Sequence, residues 1–244
     1  MNTISKQHPL GLSVVLHLLP GVLTGIAFFL LGPYVQQRNL PPFMALCIAD
    51  LVVFLPFVYG YLYLQGRKQT GRFTLDGVVL YRTQIRLWEY LVYVLVVFFA
   101  SGLLVLSLSS VSNYIFKDFF SWWPAMYDTG ADLSAYSRST LIFSYIINFS
   151  VISLAAPITE EIYFRGYLLP GLSRFGLWAI PINSILFALF HVWSPWMAVA
   201  RFVGLIPLIF VTQKKHNIYI GMIAHILVNI VDVVTGVTFI IKHF

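Results

Sequence analysis

The 244-residue chain is 59% hydrophobic and 17% aromatic, only 10% of its residues are charged, and its mean hydropathy is +0.83. This composition lies well outside the range of soluble domains, so it excludes a soluble enzyme or binding module and predicts an integral membrane protein. The formal net charge of +6 does not indicate nucleic-acid binding, because the lysines and arginines gather in short loops, where such residues set membrane topology.

Seven apolar segments follow one another along the chain as candidate membrane spans. A helix needs roughly 20 residues to cross a hydrocarbon core about 30 Å thick. Because backbone groups cannot stay unpaired in lipid and the segments lack period-two alternation, we expect helices rather than strands. We therefore predict an all-α, polytopic transmembrane helical bundle that occupies residues 1–244 as a single integral membrane domain. The predicted spans are residues 10–32, 43–64, 88–110, 140–158, 177–193, 197–212 and 218–241.

The charges in the loops predict how the chain is oriented in the membrane. The first span is expected to be retained, since its apolar run is too long for a signal peptide and no small-residue cleavage site follows it. With the N-terminus on the inner side, ten lysines and arginines fall on that side and five on the outer side, among them Arg201. The positive-inside rule therefore predicts a cytosolic N-terminus and an external C-terminus.

Few ionisable residues interrupt the predicted spans. Each such group near the bilayer centre costs on the order of 2.5–3.5 kcal/mol and persists only with a partner or a function. We interpret Asp50 and His17 as buried groups that pair with a neighbouring helix. The second half of the chain carries a denser set, which is more typical of a functional site. Its members are Glu160, Glu161, Arg165, His191, His225 and Asn229.

The segment EEIYFRGYLL, residues 160–169, places two acids and an arginine between apolar runs. On a helix Glu161 and Arg165 are four residues apart on one face, with the acid first, so Arg165 can neutralise Glu161. Glu160 is rotated by about 100° from that pair and lacks such a partner. We therefore predict that Glu161 anchors the helix electrostatically, whereas Glu160 projects into a different environment and can act as a base.

Two later segments each place a histidine on one helix face with a second residue. SILFALFH puts Phe187 and His191 four residues apart, and AHILVN puts His225 and Asn229 four residues apart. A lone histidine in a span is more often a satisfied interior residue than a catalytic one. Two histidines on separate helices, beside an unpaired glutamate, indicate a shared site instead.

The depth of these residues in the membrane makes a shared site feasible. At 1.5 Å per residue, Glu160, His191 and His225 fall about 13, 21 and 12 Å below the inner surface, which brackets the bilayer midplane. The site also requires the fourth predicted helix to run on past Pro157 through Glu160. That helix then exceeds spanning length and must be tilted or kinked there.

Three spaced motifs occur in order on successive membrane segments: E-E-x-x-x-R with a trailing glycine, F-x-x-x-H and H-x-x-x-N. Together they resemble the CAAX protease and bacteriocin-processing enzymes, also called the Abi family, which are relatives of the type-2 CAAX prenyl endopeptidase. The resemblance covers residues 155–230, with all three motifs intact. Members commonly have eight spans, whereas the sequence predicts seven, so the resemblance leaves an eighth span open.

The resemblance implies an intramembrane peptidase in which the first glutamate and the second-motif histidine activate a water molecule. The last histidine and the asparagine would stabilise the oxyanion. The implied catalytic residues are Glu160, His191, His225 and Asn229, and the implied supporting residues are Glu161, Arg165 and Phe187. We further expect a bacterial plasma membrane, contact with membrane lipid, a hydrophobic or prenylated peptide or membrane-protein substrate, no nucleic-acid partner and no cofactor.

Alternatives remain open on sequence alone. A glutamate plus two histidines is also a catalytic zinc ligand set, so Glu160, His191 and His225 are alternative ligands for Zn²⁺. Against a metal, no H-E-x-x-H pair fixes two ligands on one helix, and His225 would be diverted from the oxyanion. An ion-coupled transporter also carries acids and histidines at midplane, but no internal repeat is detectable. A non-enzymatic immunity scaffold would be expected to lose some of these polar positions, and all of them are present.

Overall fold

The computed structural model describes residues 7–130 and 132–244, and within them the chain is built from helices and forms no β-strand. Seven segments are long and apolar enough to cross a membrane, which confirms the predicted all-α polytopic bundle. Among the eight α-helices of the described residues, all but Ser109–Phe119 belong to a crossing segment. The helices are α1 (Leu10–Gln37), α2 (Phe43–Thr70), α3 (Leu87–Ser107), α4 (Ser109–Phe119), α5 (Arg138–Gly171), α6 (Ala179–Phe190), α7 (Ala198–Lys215) and α8 (Ile218–His243).

Helix α5 runs for 34 residues and is irregular in its middle. Two π-helical stretches, Phe149–Ala155 and Glu161–Leu168, flank a regular turn that contains Pro157. Proline has no N–H to donate to the preceding turn, so the wider hydrogen-bonding pattern lies on both sides of it. The prediction that this helix continues past Pro157 through Glu160 is confirmed.

One end of the bundle is closed by the loop between α2 and α3, which pairs with two other elements. Leu80 N donates to Gly166 O of α5 at 2.7 Å, and Ile218 N at the start of α8 donates to Tyr81 O at 2.8 Å. These contacts fix the loop against the ends of α5 and α8. We call this end of the bundle, formed by residues 71–86, 172–178 and 216–217, the basic end; it is the end that the loop charges predict to face the cytosol.

Helix α6 is too short to cross a membrane by itself, since its 12 residues extend for only about 18 Å. It ends at Phe190, so the turn that follows lies within the membrane depth, where irregular backbone is tolerated only if protein covers it. The cover is aromatic. Trp196 of this turn packs against Phe116 of α4 and against Trp123, with ring centroids 4.9 and 5.4 Å apart.

A buried polar pair ties α1 to α6. Nδ1 of His17 donates to Ser13 O at 2.7 Å, and its Nε2 accepts from Nδ2 of Asn183, on α6, at 3.0 Å. Asn183 also donates to Phe164 O of α5 at 3.1 Å. The interpretation of His17 as a group that pairs with a neighbouring helix is confirmed. Asp50 is buried in a π-helical turn of α2, and its pairing stays a prediction.

Helix α1 also approaches the turn after α6 at backbone distance. A Cβ atom at Gly21 would overlap the carbonyl oxygen of Phe190, and one at Gly25 would overlap the side chain of Val192. Only residues without a Cβ allow this approach. The two glycines thereby let α1 support the turn that carries His191.

Candidate active site

Glu160 lies between the two histidines that the sequence singled out. Its Oε1 is 3.8 Å from Nε2 of His191, and its Oε2 is 3.6 Å from Nε2 of His225. The carboxylate is largely enclosed, with 7% of the residue exposed. Three elements far apart in sequence, the middle of α5, the end of α6 and α8, therefore bring one acid and two imidazoles together.

The ring of His191 is oriented by the helix that it caps. Its Nδ1 lies 2.9 Å from Phe187 O, and because a carbonyl can only accept, Nδ1 carries the proton. In the neutral imidazole, Nε2 then has a free lone pair and faces Glu160. The ring of Phe187 packs against that of His191 with centroids 4.8 Å apart. Phe187 thus contacts His191 through both its carbonyl and its ring.

Glu161 and Arg165 form the pair that their spacing predicts. Nη1 of Arg165 lies 3.3 Å from Oε1 of Glu161, and both side chains are fully buried. The guanidinium also lies over the ring of Phe187, 4.1 Å from its centroid. A carboxylate on one side and an aromatic face on the other stabilise a cation that has no access to water.

Glu161 has a second partner, which spacing did not predict. Nδ1 of His225 lies 3.0 Å from Oε1 of Glu161, so the carboxylate accepts from the imidazole. This contact fixes the ring of His225 with Nε2 toward Glu160. Because Nδ1 donates to Glu161, only Nε2 of His225 is directed at the space beside Glu160.

Asn229 lies one turn farther along α8 and contacts α5. Its Nδ2 donates to Ile152 O at 2.8 Å, and Oγ of Ser153 donates to Asn229 O at 3.3 Å. These bonds join α8 to the first π-helical stretch of α5. An amide has two N–H groups, so one donor of Asn229 is used here and one remains.

Arg201 is a charged residue of this region that the sequence argument did not assign to the site. The loop-charge count placed it on the outer side, but it lies in the first turn of α7. Nη1 and Nη2 donate to Ser194 O and Ser194 Oγ at 3.0 and 2.8 Å. Because Ser194 N also donates to His191 O at 3.1 Å, the guanidinium lies beside the turn that carries His191. The available signal was an arginine within an apolar stretch at membrane depth.

The fit of a zinc ion can be tested on the same atoms. Both imidazoles hold Nδ1 against an oxygen and present Nε2 to Glu160, which is the orientation typical of zinc ligands. Among the residues that the structure describes, no group of three or more histidine, cysteine or acidic side chains comes together closely enough to hold a metal ion. The residues therefore do not fit the ion in this arrangement.

The fold and the site together define a polytopic membrane protein with an acid–histidine cluster enclosed within its helices. The sequence model of the family described as type II CAAX prenyl endopeptidase Rce1-like matches residues 142–231, the segment that carries all three motifs. This match confirms the resemblance to the CAAX protease and bacteriocin-processing family, and the family implies a peptidase. No curated protein and no solved structure was found to match the chain.

Proposed function

We propose that this protein is an intramembrane endopeptidase in which Glu160 and His191 activate a water molecule. The observation that carries the proposal is the position of the Glu160 carboxylate, 3.8 and 3.6 Å from the Nε2 atoms of His191 and His225. These separations are longer than direct hydrogen bonds, so a water molecule can contact the acid and an imidazole together.

The chemistry follows from the protonation states that the contacts favour. Nε2 of His191 has a free lone pair and accepts a hydrogen bond from the water, while Glu160 takes one of its protons. The water oxygen bonds to the carbonyl carbon of the peptide, and the carbonyl electrons move onto its oxygen. When the tetrahedral intermediate collapses, the C–N bond breaks and Glu160 gives its proton to the leaving nitrogen. Water is consumed, and a carboxylic acid and an amine form.

His225 and Asn229 are proposed to stabilise the oxyanion. The imidazolium of His225, held by Glu161, directs its Nε2 proton into the space beside Glu160. Asn229 has one amide N–H beyond the bond to Ile152. A positioned donor of this kind typically contributes about 3–4 kcal/mol to transition-state stabilisation.

The substrate is proposed to be a hydrophobic or prenylated peptide, or a membrane protein, that reaches the site from the bilayer. Each component of the cluster lies on a helix of an apolar bundle or in the turn after α6, so a soluble, fully hydrated chain would have to be dehydrated along its length. A segment with a lipid-like tail can keep that tail in the bilayer while its peptide backbone enters the site.

The test is cleavage of an internally quenched peptide with a farnesylated cysteine three residues before its carboxyl end. Wild-type protein in detergent should cleave it, and Glu160→Gln should lose at least about a hundredfold in rate without losing its fold, since general acid–base groups contribute 10²–10⁴-fold. Asp76→Asn is the matched control, because its side chain is 86% exposed in the loop of the basic end. Substantial cleavage by a folded Glu160→Gln variant would remove the assignment of the base.

A further inference from the structure

The hydrogen-bond donors around Glu160 are unevenly distributed. On one side, His225 and Asn229 each retain at most one donor after their contacts with Glu161 and Ile152. On the other side, His191 presents an Nε2 atom without a proton, because its proton is on Nδ1. An oxyanion that forms beside His191 would therefore need a donor that the three motifs do not supply.

Arg201 is a cation on that side of the site. It lies 14 residues before the end of α7, about 21 Å from the basic end, while His191 lies about 18 Å along α6. The two residues are thus at nearly the same depth. Among the described residues no carboxylate is within ion-pair distance of Arg201. Its hydrogen bonds go to Ser194, three residues after His191, so this cation is on the His191 side of the site and has no carboxylate partner of its own.

The guanidinium is held in place by the turn that carries His191. Ser194 accepts from Nη1 and Nη2 of Arg201 at 3.0 and 2.8 Å, and Ser194 N donates to His191 O at 3.1 Å. Ser194 itself is 4% exposed. Because a guanidinium has five N–H donors, three remain after these two bonds. The guanidinium of Arg201 is therefore held in place and still has N–H groups that can donate to a substrate oxygen.

The charges of the cluster show at which step of the reaction Arg201 would stabilise negative charge most. Before reaction, the acids Glu160 and Glu161 share the site with Arg165, Arg201 and, in the proposed mechanism, the imidazolium of His225. When Glu160 takes the proton of the water, its negative charge disappears and an equal charge develops on the substrate oxygen. Arg201 then interacts with the new anion, which is an interaction made in the transition state rather than with the bound substrate.

We propose that Arg201 is a further catalytic residue, which donates to the oxyanion of the tetrahedral intermediate from the side opposite His225. This inference rests on the proposed function, because it assigns a role within that reaction. It extends the site by a residue on α7, outside the three motifs, and it gives Ser194 the task of orienting the guanidinium.

Three variants and one control test the kinetic part, with the same quenched farnesylated peptide as probe. Arg201→Gln should lower kcat by roughly 10²–10³-fold, as for other oxyanion donors, and leave KM nearly unchanged. Arg201→Lys keeps the charge and should be intermediate, and Ser194→Ala should cost less than either. Arg38→Gln removes an exposed arginine at the far end of α1 and should match wild type.

A pair of inhibitors distinguishes a catalytic role of Arg201 from a purely structural one. A phosphinic peptide carries a tetrahedral anion, and the matched secondary-alcohol isostere is neutral at the same position. Wild-type protein should prefer the anionic compound, and Arg201→Gln should lose that preference by about the factor by which kcat/KM falls. If Arg201→Gln does not fold, Arg201→Lys is compared with wild type by the same two measurements.

Each outcome of these experiments supports or contradicts the proposed role of Arg201. A folded Arg201→Gln variant with wild-type kcat, or one with lower kcat and an unchanged preference for the anion, would overturn the role of Arg201 while the proposed function stands. Wild-type protein that does not cleave the peptide but prefers the anion through Arg201 would overturn the substrate and keep the inference. Wild-type protein that neither cleaves the peptide nor binds the compounds would overturn both.

Discussion

Nδ1 of His225 lies 3.0 Å from Oε1 of Glu161, the same oxygen that pairs with Arg165 at 3.3 Å. One buried carboxylate therefore neutralises a cation of its own helix and orients an imidazole of another. The two tasks have different consequences when the carboxylate is changed. Loss of the pairing leaves the charge of Arg165 without a partner. Loss of the contact with His225 lets that ring turn away from Glu160.

Replacing Glu161 by glutamine is expected to lower both folded yield and activity. The neutral amide leaves Arg165 as a buried, unpaired charge, and breaking a buried pair in this way typically costs about 3–5 kcal/mol. It also removes the carboxylate that holds Nδ1 of His225. Thermal unfolding in detergent and cleavage of the quenched peptide measure the two effects separately.

The double variant Glu161→Gln with Arg165→Met divides the two tasks of Glu161. Because methionine removes the stranded charge, the double variant should unfold at a higher temperature than the single one. Its activity should stay low, since His225 still lacks its carboxylate. Wild-type activity in the double variant would show that the contact between Glu161 and His225 is dispensable.

The difference between these two contacts of Glu161 shows how far sequence reasoning reaches. The pair with Arg165 was predictable, because a spacing of four residues places both side chains on one helix face. The contact with His225 joins residues 64 positions apart. It depends on how α5 and α8 pack, and a single sequence does not contain that information. Only the packing of α5 against α8 brings the two side chains into contact.

The predicted spans show the same limit. Hydropathy and length predicted seven crossing segments, because both quantities follow from composition alone. They did not predict that α6 ends at Phe190, since Val192 and Trp193 are as apolar as a lipid-facing turn of helix. The turn after α6, which is covered by protein, is therefore as apolar in sequence as a segment that crosses the membrane. The predicted span of residues 197–212 already contained Arg201, but the loop-charge count gave this residue to the outer side and did not assign it to the site.

Close contact between α1 and the turn after α6 is expected to be essential for the site. Gly21→Ala would place a Cβ atom against Phe190 O, a backbone atom that can yield only if the helices separate. We expect lower thermal stability and lower activity, because the turn positions His191. Gly11→Ala is the matched control in the same helix, since nothing lies near its Cβ position and alanine is the better helix former by about 1 kcal/mol. Equal effects of the two substitutions would contradict the packing.

Metal dependence is expected to be absent in the proposed reaction. Extended treatment with a zinc chelator should leave cleavage of the quenched peptide unchanged, and the purified active protein should contain far less than one zinc per chain. The reason is that, in the part of the chain that the structure describes, no group of three or more histidine, cysteine or acidic side chains is placed to hold a metal ion. Loss of activity on chelation and its return with added Zn²⁺ would replace this mechanism by a zinc-dependent one that uses the same three residues.

The orientation of the bundle can be measured by cysteine labelling in a Cys47→Ala background, since Cys47 is buried and the only cysteine. Arg72 and Lys214 are exposed at the basic end, where Thr83 N donates to His216 O at 2.9 Å, so cysteines at both positions should react from the same side. The loop charges predict that this side is the cytosol. An impermeant maleimide should therefore label Arg72→Cys and Lys214→Cys in inside-out vesicles only.

A cysteine at His243, which is exposed at the far end of α8, should react in intact cells. If Arg72→Cys and Lys214→Cys react from opposite sides, the packing of the loop is wrong; if both react only in intact cells, the packing holds and the predicted orientation is reversed.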